Sequence, residues 1–528
     1  MKKRICSVVL AVATIASLVC MTSCGKKDAN VDNEKTLTYW VGLDPNVATR
    51  VQSYNDVALY KEMEKRTGVH IDFIHPTIGQ EAEQFKLLLA SKEMPDIIEY
   101  NWADYPGGVQ KAIDDGVIIP LNDYMDKAPN FKKAMTEGEL ADIYRQGSTT
   151  GSGQYYGFTT LNTGNYRVFT GPVLRKDWLD ELGLKVPETI DEWTTVLTAF
   201  KEQKDVRYPL SGLAGYLCLG ADDSTFAGAY GVGNRVYVDN GTVKFGPLQD
   251  GYKDYITQLN KWYSAGLLDN DLANNQGTLI DSKIVNNEAG ALVNGYLGSG
   301  IGRYLSQKKG DDSGFNLVGA PYPVLKKGDK NAFPVAENDV MPARTIAITS
   351  SCKNPELAIE WCDYWYGEEG YYLLNFGVEG ESYNMVDGKP VYTDTILKNP
   401  DGLSVNEALL LYCRATSPAP GFKQAPEYLE QYYEFQQQID ALELWTENEA
   451  LFRTTKFPTV DSTKEESDVI SSIKTDLYTY IDENIWEFVT GKRDISEYDK
   501  FREEVKNNFD VDSYLDVLQK QYDRYTNK

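Results

Sequence analysis

The chain has 528 residues, with 78 acidic side chains, 36 tyrosines and only two histidines. His70 and His75 lie five residues apart on a segment that reads as a strand and its exit. That is not ligand spacing for a metal site. No GxSxG elbow, Walker A loop, HExxH or EF-hand pattern occurs, and Gly231-Val232-Gly233 lacks the third glycine of a dinucleotide loop. A glycosidase pair is defined by a spatial separation of roughly 5–9.5 Å, which a sequence does not display, and a solvated surface accounts for most of the acids. The cysteines Cys218, Cys352, Cys362 and Cys413 are scattered, with no CxxC, so no disulfide framework is expected. What remains is the tyrosine excess. Tyrosine joins a flat apolar face to a hydrogen-bonding tip. Many of these residues sit in polar, glycine-rich segments and not in periodic apolar runs, a distribution that is a clue to function.

The N-terminus carries a second kind of chemistry. Lys2, Lys3 and Arg4 precede an apolar run from Val8 to Val19, which has the form of a secretory signal and is too short for a convincing spanning helix. It ends in Met21-Thr22-Ser23-Cys24, which resembles the lipobox of bacterial lipoproteins. That resemblance implies cleavage after residue 23, a diacylglycerol on Cys24, and a chain working on the extracellular face of the cell membrane. Loss of residues 1–23 removes three positive charges and no negative one, which takes the net charge from −25 to −28. So acidic a chain excludes nucleic acid and repels anionic headgroups, leaving the lipid as the membrane link.

About 500 residues exceed one hydrophobic core, so two or three domains are expected. Residues 25–35 read as a tether. Thr36–Trp40 reads as a strand, 56–66 as a helix stopped by Gly68, and 69–74 as an alternating strand. A helix over 81–90 and a buried strand over 95–100 complete a β-α-β-α-β series, which argues for an α/β lobe with a largely parallel sheet. A second lobe begins near 160–172. Thr189 and Glu192 form a capping-box pattern. Tyr252, Tyr255, Ile256, Leu259, Trp262 and Tyr263 lie on one helical face, at core spacing. Asn354-Pro355 starts a further helix, and the last 110 or so residues read as mainly helical.

The segments LLLASKEMPDIIEYN (87–101), DDGVIIPLNDYM (114–125), GQYYGF (153–158), VLRKDWLDELGLKVPETIDEW (173–193), KWYSAGLLD (261–269), NPELAIEWCDYWYGEEG (354–370), NFGVEGESYNMVDGKPVYT (375–393) and SYLDVLQKQYDRY (513–525) come in an order that resembles extracellular solute-binding protein family 1, the relatives of maltose-binding protein. Within it they are similar to the large alginate-binding branch. The resemblance implies an α/β, two-lobed, type II periplasmic-binding-protein-like fold with a ligand cleft between the lobes and a helix-rich C-terminus. It implies lobe one over 36–160 plus 345–395 and lobe two over 161–344 plus 396–528. It implies a monomeric, non-enzymatic protein that hands an oligosaccharide to ABC transporter permease subunits; the alternatives are a secreted glycoside-acting enzyme and a ligand-binding accessory of a sensor. In the alginate-binding branch a calcium loop rich in Asp and Asn follows the helix corresponding to 192–201. Here that place reads KEQKDVRYPLSG (201–212), with Asp205 the only acid in the loop proper, so neither a metal nor a cofactor is expected.

A sugar offers apolar CH faces and a rim of hydroxyls, and so calls for aromatic platforms beside groups that donate and accept hydrogen bonds. Ligand sites in α/β lobes lie beyond the carboxyl ends of strands. The residues meeting both conditions are Trp40, Asn101, Trp102, Asn294, Tyr296 and, at the proposed lobe crossings, Asn165, Tyr166, Arg167 and Arg344. Tyr383 in a glycine-flanked loop, Tyr230 and Arg414 complete the set. Maltose-binding relatives place a stacking aromatic at the position of Tyr296. Each also has a packing role open to it: Trp40 and Trp102 under a loop, Arg344 in an ion pair bridging the lobes, Tyr230 and Arg414 in the structure of the lobes.

Overall fold

A computed structural model describes residues 35–526, apart from 46, 92, 164–167, 276, 311–313, 334, 336–339, 404, 415–420, 426, 459 and 461. The local signals read from the sequence place the helices. Ala58–Thr67 ends at Gly68, whose φ of 67° takes the left-handed form that glycine adopts without strain. Thr189 accepts from the amide of Glu192, and the Glu192 carboxylate accepts from the amide of Thr189, capping Ile190–Lys204. The aromatic stripe of Asp250–Ser264 is core, with Tyr252, Tyr255, Ile256, Leu259 and Trp262 buried. Asn354 caps Pro355–Asp363.

Two sheets organise the molecule. The first runs Lys423–Gln424, Phe158–Asn162, Val340–Ile348, Ile97–Tyr100, Thr36–Trp40, His70–Ile74. Its last three strands are parallel, as the β-α-β-α-β series requires, and Val340–Ile348 enters antiparallel to both of its neighbours. Alternation assigns the two faces. Leu37, Tyr39 and Ile97 join one core cluster, and Trp40 and Ile98 join another on the opposite side. The second sheet runs Leu317–Gly319, Thr170–Arg175, Ala289–Tyr296, Tyr208–Ser211, with only its last pair parallel. The 27-residue helix Lys464–Thr490 packs on this side, its Leu477, Ile481, Ile485 and Phe488 fully buried beside Tyr252 and Leu259.

The chain passes between the sheets after Phe158–Asn162, before Val340–Ile348 and after Lys423–Gln424. These three strands are neighbours in the first sheet. The resemblance implies that 396–528 lies wholly in the second lobe, and the structure divides that stretch. Leu410 and Phe422 lie in a first-sheet core, and Lys423–Gln424 pairs in parallel with Phe158–Asn162. Only beyond it does the chain join the second sheet, where Trp445 packs with Val173 and Leu292 and donates to the Ala320 carbonyl at 2.8 Å. That contact requires Gly171, because a Cβ there would come within 2.4 Å of the Trp445 ring.

The returning segment is fixed by charge. Arg414, 2% exposed, donates to Glu99 at 3.0 and 3.3 Å and to the Tyr60 hydroxyl at 2.9 Å, and its guanidinium lies 4.4 Å from the Tyr54 ring centroid. Tyr39 donates to the same carboxylate at 2.8 Å. Removing one partner strands the other as a buried, unpaired charge, so Arg414→Ala should cost about 3–5 kcal/mol. The expected result is a lower denaturant midpoint, largely restored in the Glu99→Gln/Arg414→Met double variant. An Arg414→Ala chain as stable as the parent would show that the pair is dispensable.

Candidate functional site

The residues singled out in the sequence fall into distinct settings. Trp40 and Trp102 are both buried, with ring centroids 6.0 and 5.6 Å from that of Phe85. Asn101 beside them is half-buried. Asn294 is buried and its Oδ1 accepts from the Leu213 amide at 2.9 Å, which fixes the turn after Tyr208–Ser211. Tyr296 ends its strand. It stacks on Phe169 at 5.7 Å and donates to the Tyr216 hydroxyl at 2.8 Å, so three half-buried aromatics meet at the end of the second sheet. Arg344 is half-buried, and it and Glu81 both stand beside the Gly42 backbone. Tyr383 pairs with Tyr392 in a hairpin and is buried near Tyr372 and Phe376; burial pushes its hydroxyl up to about 12. Tyr230 packs against Tyr255, and Arg414 serves the charge pair above. Asn165, Tyr166, Arg167 and Cys24 lie outside the described residues.

The site that combines aromatic faces with polar groups lies elsewhere. A pocket of about 480 Å³ is lined by the rings of Tyr237, Phe333, Phe452, Phe457, Tyr478 and Tyr514, with Asp222, Asp223, Ser224, Lys456, Ser462, Lys474 and Gln521 among them. Its size is that of a small-molecule site. Asp222 is exposed and accepts from the Tyr478 hydroxyl at 3.0 Å, which lies 3.3 Å from the Tyr514 hydroxyl. Asp223 is paired with Lys456 at 3.2 Å, and burial raises its carboxyl above the ordinary aspartate value. Tyr237 meets Phe333 edge to face at 5.3 Å. Burial holds Tyr237 and Tyr514 at about 12, so both stay neutral donors.

Thr455, Lys456, Phe457, Pro458 and Ser462 line the pocket, and the next residues, Thr463 and Lys464, line a separate open crevice of about 550 Å³ with Gln110, Asp114, Ser152 and Gln154 of the first-sheet side. None of these pocket residues stood out in the sequence. Asp223 and Lys456 are 233 positions apart. The available signal was the acidic, hydroxyl-rich run Asp222-Asp223-Ser224-Thr225 in the loop beyond Tyr208–Ser211.

Calcium, implied by the resemblance, does not fit its place here. Ile190–Lys204 ends in Asp205 at a φ of 49°; Lys201 donates to the Ala265 carbonyl at 2.5 Å and Lys204 pairs with Glu181. Lysine ammonium groups at the end of this helix leave a hard cation without its cage of oxygens.

Two sheets bridged by adjacent strands, with an aromatic pocket beside the crevice between them, define a two-lobed ligand-binding fold. The chain belongs to the bacterial extracellular solute-binding protein family, whose model matches residues 49–372. The fructooligosaccharide ABC transporter substrate-binding protein FusA of Streptococcus pneumoniae is 26% identical over 571 positions, covering 98% of this chain and 97% of that protein. Two solved structures share the fold. Alginate-binding protein AlgQ2 without calcium ion has a TM-score of 0.70 at 24% identity, covering 92% of this chain and 98% of its own. An HMO-binding, ABC-transporter-associated solute-binding protein from Bifidobacterium longum infantis has a TM-score of 0.73 at 19% identity, covering 93% and 99%. Members of the family are binding proteins.

One histidine couples the strand ends to pH. His75 Nδ1 lies 2.8 Å from the Val41 carbonyl, and its Nε2 lies 3.2 Å from the Tyr54 amide, which assigns the neutral Nδ1–H tautomer. Burial, with Arg414 adding to it, holds the pKa below the ordinary 6.5 despite the Val41 bond. The unfolded chain therefore takes up the proton first as pH falls. The contribution of His75 to stability is full above 6.5 and is lost as pH drops through the lowered folded value. The unfolding midpoint should fall from pH 7 to pH 5, and less steeply in His75→Gln; parallel profiles for the two chains would contradict this.

Proposed function

We propose that the chain captures an oligosaccharide between its two lobes and delivers it, unaltered, to the permease subunits of an ABC importer. The observation that carries this reading is the pocket of six aromatic rings and two aspartates, whose lining is followed in the chain by residues of the interlobe crevice. Rings supply platforms for CH faces, and carboxylates accept from paired hydroxyls. The full-length similarity to a fructooligosaccharide-binding relative supports it. Tyr296 with Phe169 and Tyr216, Asn101, Arg344 and the stretch 165–167 are proposed as further contacts along the cleft.

In this reading residues 1–23 are a signal peptide, Cys24 carries the lipid, and 24–35 tether the chain to the outer face of the membrane. Lobe one comprises 36–160, 345–395 and the return segment up to Gln424, lobe two the remainder, and the protein acts as a monomer. Closure is a hinge motion about the three adjacent crossings. Only tighter binding to the closed form drives it, and the closed, loaded form is what the permease recognises.

Thermal unfolding of residues 25–528 against a saccharide panel, followed by product analysis, tests this. A binding sugar should raise stability by about 2.7 kcal/mol at a hundred times its Kd and be recovered intact. Asp222→Ala removes an exposed acceptor and should weaken binding roughly ten-fold or more, since hydrogen bonds to charged groups contribute about 1.5–3 kcal/mol. Cleaved sugar would replace transport binding with enzymatic turnover.

A further inference from the structure

The pocket and crevice differ from a plain sugar site in how their charges are arranged. Among the described residues lining the two cavities, the charged side chains are Asp222, Asp223, Lys456, Lys474, Asp114 and Lys464. Two of the three ammonium groups are paired with carboxylates. Lys456 is 3.2 Å from Asp223, and Lys464 is 2.7 Å from Asp468. Lys474 is exposed and lies over the Tyr478 ring at 5.2 Å. The carboxylates have capacity left. Each aspartate offers about four lone-pair sites, and the bonds given to the Asp222 side chain are those from the Tyr478 hydroxyl and, at 3.5 Å, from the Val236 amide.

Resting on the transport reading above, we infer that this site selects neutral, hydroxyl-rich oligosaccharides and rejects uronic acid chains. A neutral ring lays its hydroxyls on Asp222 and Asp223 and its CH faces on Tyr478 and Phe457. A uronate must bring a carboxylate beside those two aspartates, where the Lys456 ammonium is already engaged by Asp223, so like charges face each other as water leaves. The net charge of −28 that remains without residues 1–23 adds repulsion to the approach of any polyanion. The family alone does not decide this, because its relatives include both a fructooligosaccharide-binding and an alginate-binding protein.

Titration calorimetry of the soluble chain tests the inference, with length-matched neutral oligosaccharides (fructose-, glucose-, xylose- and mannose-built) and uronates (galacturonate- and mannuronate-built) at low and physiological salt. At least one neutral series should bind, with every uronate at least 100-fold weaker and the gap narrowing as salt rises. Asp223→Asn, and as a second variant at an exposed position Asp222→Asn, should weaken the neutral ligand ten-fold or more and narrow the gap further. Unfolding midpoints for both variants check that the fold is kept. A uronate that binds as tightly as the neutral sugars overturns the inference and leaves oligosaccharide transport standing. Binding of neither class overturns both.

Discussion

The joint between the lobes depends on one buried ion pair. Glu99 lies at the end of a central strand of the first sheet and is 1% exposed, a position no carboxylate holds without a counter-ion. Arg414 supplies it from a segment more than 300 residues later, with Tyr39 and Tyr60 completing the hydrogen bonds. Fixing Arg414 brings Lys423–Gln424 to the edge of that sheet, beside Phe158–Asn162. From there the chain runs on to seat Trp445 against the second sheet. The third crossing lies next to the other two on the segment whose Arg414 is the counter-ion of Glu99 deep in lobe one.

Clustered crossings have a mechanical consequence. In the proposed closure, three connections on adjacent strands act as one hinge, whereas connections spread across a sheet would brace the lobes apart. Opposite surfaces can then approach across the crevice, where Gln110 and Asp114 face Thr463 and Lys464. The long helix Lys464–Thr490 begins at that crevice and ends in the second-lobe core, packed on Tyr252 and Leu259.

Local signals in the sequence carried the elements well. Gly68, the Thr189–Glu192 box, the Asn354 cap and the Tyr252–Trp262 stripe each act within a few residues, and the structure keeps every one. The strand Lys423–Gln424 left no such trace, because two residues have no period and its pairing partner is some 260 positions away. Likewise, Trp40 and Trp102 satisfy a rule about strand ends that does not specify which face a side chain takes. Alternation puts Trp40 on the face with Ile98, under Phe85. Asp223 and Lys456 were invisible for the opposite reason: each is unremarkable in its own neighbourhood and becomes a pair only when two distant loops meet.

The proposed chemistry is recognition without reaction, with ring faces for contact, aspartates for hydroxyls, and Lys456 and Lys464 held by their own carboxylates. A crystal structure of residues 25–528 with a bound neutral oligosaccharide tests this most directly. The account predicts a sugar ring over Tyr478 and Phe457, its hydroxyls on Asp222 and Asp223, and the chain continuing towards the Gln110–Lys464 crevice. A sugar seated away from these residues, with the pocket empty, would contradict it.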